Sequence, residues 1–267
     1  MEKNIKVYTL SSLLFLCMLM LSSAVGGILQ AVTKALSFIL PFILAYSLSD
    51  EECRGEIPLA RAKKSLSLLP FLPICLLCTF TLSLLTTLFI EAFNSGVPQN
   101  PLSGNVVFDV LYLGLMPAIL EELFFRLLPI IIIAPVSKKT AILLSAIFFS
   151  LAHLSLFSIP YALFAGIIFI TLDLMAESIW PSLILHLVNN ILSVFYMYNA
   201  EKEGFTALFF IVLGALSLVC AAVVIAFRKR YLEMLSAALQ KADKPVFPTF
   251  TLAYILPTLV VAALSLT

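Results

Sequence analysis

The hydrophobic positions of this chain fall into long runs. These runs are separated by short polar stretches rich in glycine, proline or charged residues. A helix needs about 20 apolar residues to cross a hydrocarbon core of about 30 Å. The runs therefore predict an all-α polytopic membrane protein, a bundle of about eight or nine transmembrane helices. The predicted spans are residues 8–32, 66–93, 105–134, 139–156, 159–176, 179–199, 204–227 and 247–266, and a short run at 35–49 either spans or re-enters.

Composition supports this fold class. Of the 267 residues, 62% are hydrophobic and 12% are charged, whereas an ordinary soluble domain carries about 25% charged residues. We expect an integral, multi-pass protein, located in the plasma (inner) membrane if the source is bacterial, with no separate soluble domain. We divide it into N-terminal transmembrane scaffold helices (1–104), a core that carries the candidate chemistry (105–199) and C-terminal transmembrane helices (200–267).

The basic residues sort by side when nine spans are threaded. Only Lys34 and Lys202 fall opposite to the rest, so the positive-inside rule places the N-terminus in the cytoplasm and the C-terminus outside. If 35–49 re-enters, the N-terminus moves outside and the other spans keep their orientation. Asp173 and Glu177 are then expected at the cytoplasmic membrane interface. The basic residues that share one side are Lys3, Lys6, Arg54, Arg61, Lys63, Lys64, Lys138, Lys139, Arg228, Lys229, Arg230, Lys241 and Lys244.

Three charged residues, Glu121, Glu122 and Arg126, lie inside the apolar run 105–134. Each ionisable group at bilayer depth costs roughly 2.5 to 3.5 kcal/mol on insertion scales, and such groups face a protein interior or a cavity. On a helix Glu122 and Arg126 share a face and can pair, while Glu121 points about 100° away. The cluster is therefore either a structural ion pair or an ion pair beside a free carboxylate. Pro117 and Pro129 predict a kink or local opening around it.

Both histidines of the chain lie on the apolar segments that follow. His153 has Phe149 one turn before it, and His186 has Asn190 one turn after it. A single histidine on an apolar helix is more often a hydrogen-bonded core residue than a catalytic one. Here, however, the acid pair, both histidines and an intramembrane asparagine fall within seventy residues on three segments. This grouping indicates a polar site inside the membrane.

Three motifs occur in order along these segments, and with their spacing the chain resembles the CAAX protease and bacteriocin-processing family of intramembrane endopeptidases. The family is also called the Abi or type II CAAX prenyl endopeptidase family. The resemblance covers about residues 105 to 192 and includes the lead-in to the third motif, 177–182. One departure is Leu127, where many bacterial members have glycine. The motifs are EExxxR (Glu121, Glu122, Arg126), FxxxH (Phe149, His153) and HxxxN (His186, Asn190).

The resemblance implies an enzyme that hydrolyses a peptide bond within the membrane. It implies that Glu121 and His153 activate water and that Glu122 and Arg126 orient them. In the same way it implies that His186 and Asn190 donate hydrogen bonds to the oxyanion. A metalloprotease would instead use Glu121, His153 and His186 as zinc ligands. We favour a glutamate-type enzyme without a bound cofactor, with zinc as the alternative.

The sequence lacks the motifs of two other classes of protease. A rhomboid protease needs a serine in a GxSxG-like setting and a zincin needs HExxH, and the sequence has neither. The alternative is a non-enzymatic membrane protein, either a proton-coupled carrier or a bacteriocin immunity or peptide-binding protein. A carrier would be favoured by two related halves, which the sequence does not show. We expect a peptide or lipidated protein substrate and the lipid bilayer as partners, and no nucleic acid.

Overall fold

A computed structural model describes residues 2–22, 24–58, 62–92, 102–154 and 158–239. Within these ranges the chain is helical with no strand, which confirms an all-α polytopic fold. The helices are α1 Glu2–Ser22, α2 Gly27–Leu48, α3 Ala62–Ser67, α4 Phe71–Ala92, α5 Val106–Asp109, α6 Met116–Glu122, α7 Leu128–Ile132, α8 Lys138–Leu151, α9 Ile159–Ala176, α10 Trp180–Asn199, α11 Phe205–Ala226 and α12 Arg228–Leu239.

Six helices of the described chain, α1, α2, α4, α9, α10 and α11, are long and apolar enough to cross a membrane. The predicted spans near the N-terminus have the wrong boundaries, because the apolar run 8–32 contains a helix break. The chain turns at residues 24–26, and Gly27 adopts a positive φ of 62° that only glycine takes without strain. The run at 35–49 accordingly belongs to a helix of 22 residues, Gly27–Leu48, which is long enough to cross a membrane. The predicted span 247–266 lies outside the described residues.

The charged run is one continuous helix with two wide turns. The π-helical segments Val110–Leu115 and Leu123–Leu127 join α5, α6 and α7, and we call the whole run, 106–132, the charged helix. Pro117 and Pro129 lie in the first turn after each wide segment. Since proline removes a backbone donor, the preceding turn opens. The predicted local opening around the charged residues is confirmed.

Helix α8 is shorter than the predicted span 139–156. It ends at Leu151, so its 14 residues rise about 21 Å, less than the thickness of the hydrocarbon core. The prediction that His153 lies on a helix is therefore wrong. His153 follows the helix in a turn, and Leu154 leaves that turn with a positive φ of 51°. Such a conformation is uncommon for a residue with a side chain and recurs at functional sites.

Contacts at one end of the bundle join the segments whose basic residues were predicted to share a side. The Asn4 amide donates to the carbonyl of Ile132 at 2.8 Å, and the N–H of Gly55 donates to Ile131 at 2.8 Å. Lys64 pairs with Glu177 at 2.6 Å. We call this the Lys64 end. The orientation of this end towards the cytoplasm stays a prediction.

The core joins the N-terminal helices to the charged helix. Phe15 of α1 and Phe38 of α2 pack against each other with ring centroids 4.6 Å apart, and Phe15 stacks on Phe124 at 5.2 Å. Phe124 and Phe125, which follow Leu123 on the charged helix, are fully buried. This aromatic packing fixes the rotation of the charged helix, so Glu121 and Glu122 face away from α1 and α2 towards α10.

Candidate active site

The charged helix and α10 bring two acids and a histidine together. His186 lies two turns into α10, and its Nδ1 is 2.6 Å from Oε1 of Glu122. Its other ring nitrogen, Nε2, is 3.6 Å from Oε2 of Glu121. The imidazole therefore lies between the two neighbouring carboxylates. Because a carboxylate accepts, Nδ1 carries the proton shared with Glu122, and Nε2 is the nitrogen left for chemistry.

The expected pair between Glu122 and Arg126 forms in the interior. Nε of Arg126 lies 3.4 Å from Oε2 of Glu122, and the two side chains are 0% and 1% exposed. Neither atom makes a hydrogen bond of good geometry. The guanidinium instead lies over the ring of Phe149, 4.2 Å from its centroid, and 5.5 Å from that of Phe169. Two aromatic faces and one carboxylate thus stabilise this cation.

Glu121 and Glu122 differ sharply in their access to solvent. The side chain of Glu121 is 18% exposed, whereas that of Glu122 is 1% exposed and engaged on both oxygens. Glu121 is also the acid that lines a cavity of about 330 Å³ in the described part of the bundle. Glu122 is therefore a structural carboxylate and Glu121 an accessible one, as the i and i+4 spacing of Glu122 and Arg126 predicts.

The remaining candidate residues line the same cavity. His153 donates through Nδ1 to the carbonyl of Phe149 at 2.9 Å, so its Nε2 is an acceptor in the neutral form. The amide nitrogen of Asn190 is 3.5 Å from the carbonyl of Gly114, and the amide oxygen of Asn190 accepts from Asn189 at 3.4 Å. One N–H of Asn190 is therefore left for another acceptor.

The cavity itself is mixed in character, with acid, basic and hydroxyl groups among aromatic and aliphatic ones. It extends from the histidines along α10 to Met197. Its lining includes Lys34, Thr79, Phe80, Ser83, Pro117, Glu121, Phe149, His153, Tyr161, Phe169, His186, Asn189, Asn190, Ser193 and Met197.

Asp173 supports the site although it was expected at the membrane interface. Its side chain is buried in the bundle, with 1% of its surface exposed, and its depth in the membrane stays a prediction. Its carboxylate accepts from the N–H of Ser182 at 2.9 Å and from the hydroxyl of Ser182 at 2.6 Å. These bonds tie α9 to the first turns of α10, one turn before His186. Glu177, in contrast, is exposed and pairs with Lys64.

The three residues considered as zinc ligands, Glu121, His153 and His186, share the cavity. Across the described ranges, however, no three His, Cys, Asp or Glu side chains are grouped as a metal would require. Nδ1 of His186 is bonded to Glu122, which leaves Nε2 as its one possible ligand atom. The three side chains as placed are not grouped as ligands of one zinc ion, and the expectation that no cofactor is needed stays a prediction.

A comparison with protein families finds a match over this part of the chain. Residues 103–192 match the model of the family described as type II CAAX prenyl endopeptidase Rce1-like. No curated protein and no solved structure gives a match. The matched range begins just before the charged helix and ends two residues after Asn190. It includes all three sequence motifs and confirms the family resemblance found from them.

Proposed function

We propose that this chain, whose residues 103–192 match the type II CAAX prenyl endopeptidase Rce1-like family, is an intramembrane endopeptidase that cleaves its substrate with a water molecule activated by Glu121. The observation that carries this proposal is the contrast between the two acids. Glu122 is buried, forms an ion pair with Arg126 and shares a hydrogen bond with His186, while Glu121 reaches the cavity beside Nε2 of His186. Only an accessible carboxylate can meet both water and a peptide carbonyl.

In the first step, Glu121 accepts a proton from water as the water oxygen bonds to the carbonyl carbon of the substrate. Nε2 of His153 is a second acceptor that holds the water in position, because its Nδ1 proton is occupied by the carbonyl of Phe149. The electron pair of the carbonyl moves to its oxygen. Two positioned acceptors for one water set its direction of attack.

The oxyanion then needs donors. Asn190 has one amide N–H that is not bonded to the carbonyl of Gly114 and can donate to the oxyanion. His186 can donate through Nε2 when that nitrogen carries a proton. Collapse of the intermediate breaks the carbon–nitrogen bond, and Glu121 returns its proton to the leaving amine. Donors held in a site of low dielectric contribute about 2.7 to 4 kcal/mol each to lowering the barrier.

The substrate is a peptide or lipidated protein that reaches the cavity from the membrane. The family match over residues 103–192 supports a prenylated substrate in general. In a bacterial cell that lacks prenylated proteins, the leader of a secreted peptide or a membrane-bound pheromone precursor would take this role.

The proposal is tested with the purified full chain in liposomes and a panel of farnesylated and unmodified peptides. Mass spectrometry should find one cleaved bond in at least one substrate. The carrier alternative is tested in the same vesicles with a pH-sensitive dye, and we expect no proton flux coupled to peptide uptake. Coupled flux without any cleavage product would replace the enzyme by a carrier.

The role of a metal is tested separately on the same preparation. If Glu121 and His153 activate water directly, the active protein should contain well under one equivalent of zinc and keep its turnover after exhaustive chelation. Stoichiometric zinc, with activity that is lost on chelation and restored by adding zinc, would contradict the assignment of His186 to the oxyanion. Loss of metal from His153→Ala would support the same contrary conclusion.

A further inference from the structure

A groove on the surface of the bundle lies between α10 and the junction of α3 with α4. Leu66, Leu69 and Leu72 form one wall of this groove, and Trp180 and Ile184 form the other. The groove and the active-site cavity share no lining residue, so they lie on different faces of α10. The mechanism above uses only the cavity and leaves the groove without a role.

The groove suits a segment of a hydrocarbon chain. Its volume is about 200 Å³, and an apolar cavity of about 150 Å³ is large enough to take up benzene. The apolar side chains along it stay exposed in the bundle, with Leu66 59%, Leu69 43% and Trp180 42% exposed. Trp180 is the first residue of α10, and tryptophan is enriched where a membrane meets water. The mouth of the groove therefore lies at the level of the lipid headgroups.

The rim of the groove carries one charge of each sign. Lys64 precedes the lining residue Ser65, and Glu177 precedes Trp180 by three residues. Nζ of Lys64 lies 2.6 Å from Oε1 of Glu177, and the two side chains are 41% and 49% exposed. This pair of charges is complementary to a headgroup that carries a phosphate beside a primary ammonium. The phosphate accepts from Lys64, and the ammonium donates to Glu177, which the quaternary ammonium of choline cannot do.

We propose that this groove binds phosphatidylethanolamine, with one acyl chain along Leu69 and Ile184 and the headgroup on Lys64 and Glu177. The ligand is a lipid of the surrounding bilayer, so the site goes beyond the proposed function and does not depend on peptide cleavage. The bound lipid packs against the first two turns of α10, the helix that also carries His186.

The test uses the fluorescence of Trp180, which is the only tryptophan in the sequence. The purified full chain is placed in phosphatidylcholine vesicles that contain a small fraction of a lipid with a brominated acyl chain, because bromine quenches tryptophan on contact. Brominated phosphatidylethanolamine, phosphatidylcholine and phosphatidylglycerol are compared at equal fractions. The apparent binding constant of phosphatidylethanolamine should be about threefold to fivefold above those of the other two, the range expected for one half-exposed ion pair.

Variants separate the headgroup from the acyl chain. Glu177→Gln should transfer the preference to phosphatidylglycerol, because Lys64 loses its carboxylate partner and favours a headgroup with a net negative charge. Ile184→Phe fills the groove and should lower the quenching by brominated phosphatidylethanolamine. Lys202→Gln is the matched control, since Lys202 bonds Asn199 at the far end of α10, and it should leave the preference unchanged. Thermal unfolding checks that each variant is folded.

Equal quenching of the wild type by the three brominated lipids would show ordinary contact with the bilayer and would overturn the proposal. A folded Glu177→Gln variant that keeps the preference for phosphatidylethanolamine would overturn it as well, and so would full quenching of Ile184→Phe. If a farnesylated peptide reverses the quenching and its unmodified counterpart does not, the groove holds the lipid tail of a substrate instead. The proposed function is decided by the cleavage assay alone, so the two failures are distinguishable.

Discussion

Oε1 of Glu122 and Nδ1 of His186 lie 2.6 Å apart although 64 residues separate them in the chain. The same carboxylate faces Arg126 with its other oxygen. Glu122 thus connects the first sequence motif to the third. It holds one ring nitrogen of His186 and directs the other towards Glu121 and the cavity.

We expect Glu122 to contribute both to the stability of the fold and to the rate of peptide cleavage. Glu122→Ala leaves Arg126 buried without its nearest carboxylate, and breaking a buried pair in this way costs about 3 to 5 kcal/mol. Glu122→Gln keeps an acceptor for His186 and should lose less of both. Thermal unfolding in detergent and peptide cleavage measure the two effects. Glu177→Ala is the control, because its exposed pair with Lys64 contributes only about 0 to 1 kcal/mol. An unchanged unfolding temperature for Glu122→Ala would contradict the pairing.

Asp173 and Ser182 are expected to position His186 through α10. Asp173→Ala should lower both the unfolding temperature and kcat, because the first turns of α10 lose two hydrogen bonds. Ser182→Ala should lower them less, and the double variant should show a coupling energy of about 0.5 to 3 kcal/mol. KM should change little if Asp173 only positions the helix. Strictly additive effects would show that the two side chains do not act together.

Gly166 lies at a close approach of α9 to α8. A Cβ at this position would lie 2.8 Å from Cα of Ala146, so Gly166→Val forces the helices apart. Overpacking of this kind costs typically about 1 to 3 kcal/mol and should also displace His153, which follows α8. Gly214→Val is the matched control, since a Cβ there meets nothing within 4 Å. Equal unfolding temperatures for the two variants would contradict this packing.

The basic residues at the Lys64 end predict that this end of the bundle faces the cytoplasm. In a chain without its native cysteines, Glu56→Cys should react with a membrane-impermeant thiol reagent only after the cytoplasmic side is exposed. Glu203→Cys should react from outside in intact cells. Both positions are exposed. The reverse pattern would invert the topology and leave the chemistry of the site unaffected.

The sequence predicts what depends on run length and helical spacing. The long apolar runs indicate the fold class, and the i and i+4 spacing of Glu122 and Arg126 predicts their pair. The break at Gly27 and the end of α8 before His153 were missed, because apolarity continues across both points. The bonds from Asp173 to Ser182 could not be seen either. They depend on the turn between α9 and α10, where Glu177 adopts a positive φ of 54°.

The central claim is that Glu121 activates the attacking water, and one measurement tests it most directly. The turnover of Glu121→Gln is compared with that of the wild type on a peptide that the wild type cleaves, with thermal unfolding recorded for both. Because Glu121 is partly exposed and the shorter contact of His186 is with Glu122, the variant should unfold at the wild-type temperature. A general base contributes about 10² to 10⁴ in rate, so its turnover should fall at least about 100-fold. A folded Glu121→Gln protein that cleaves the peptide at a rate near that of the wild type would contradict the account.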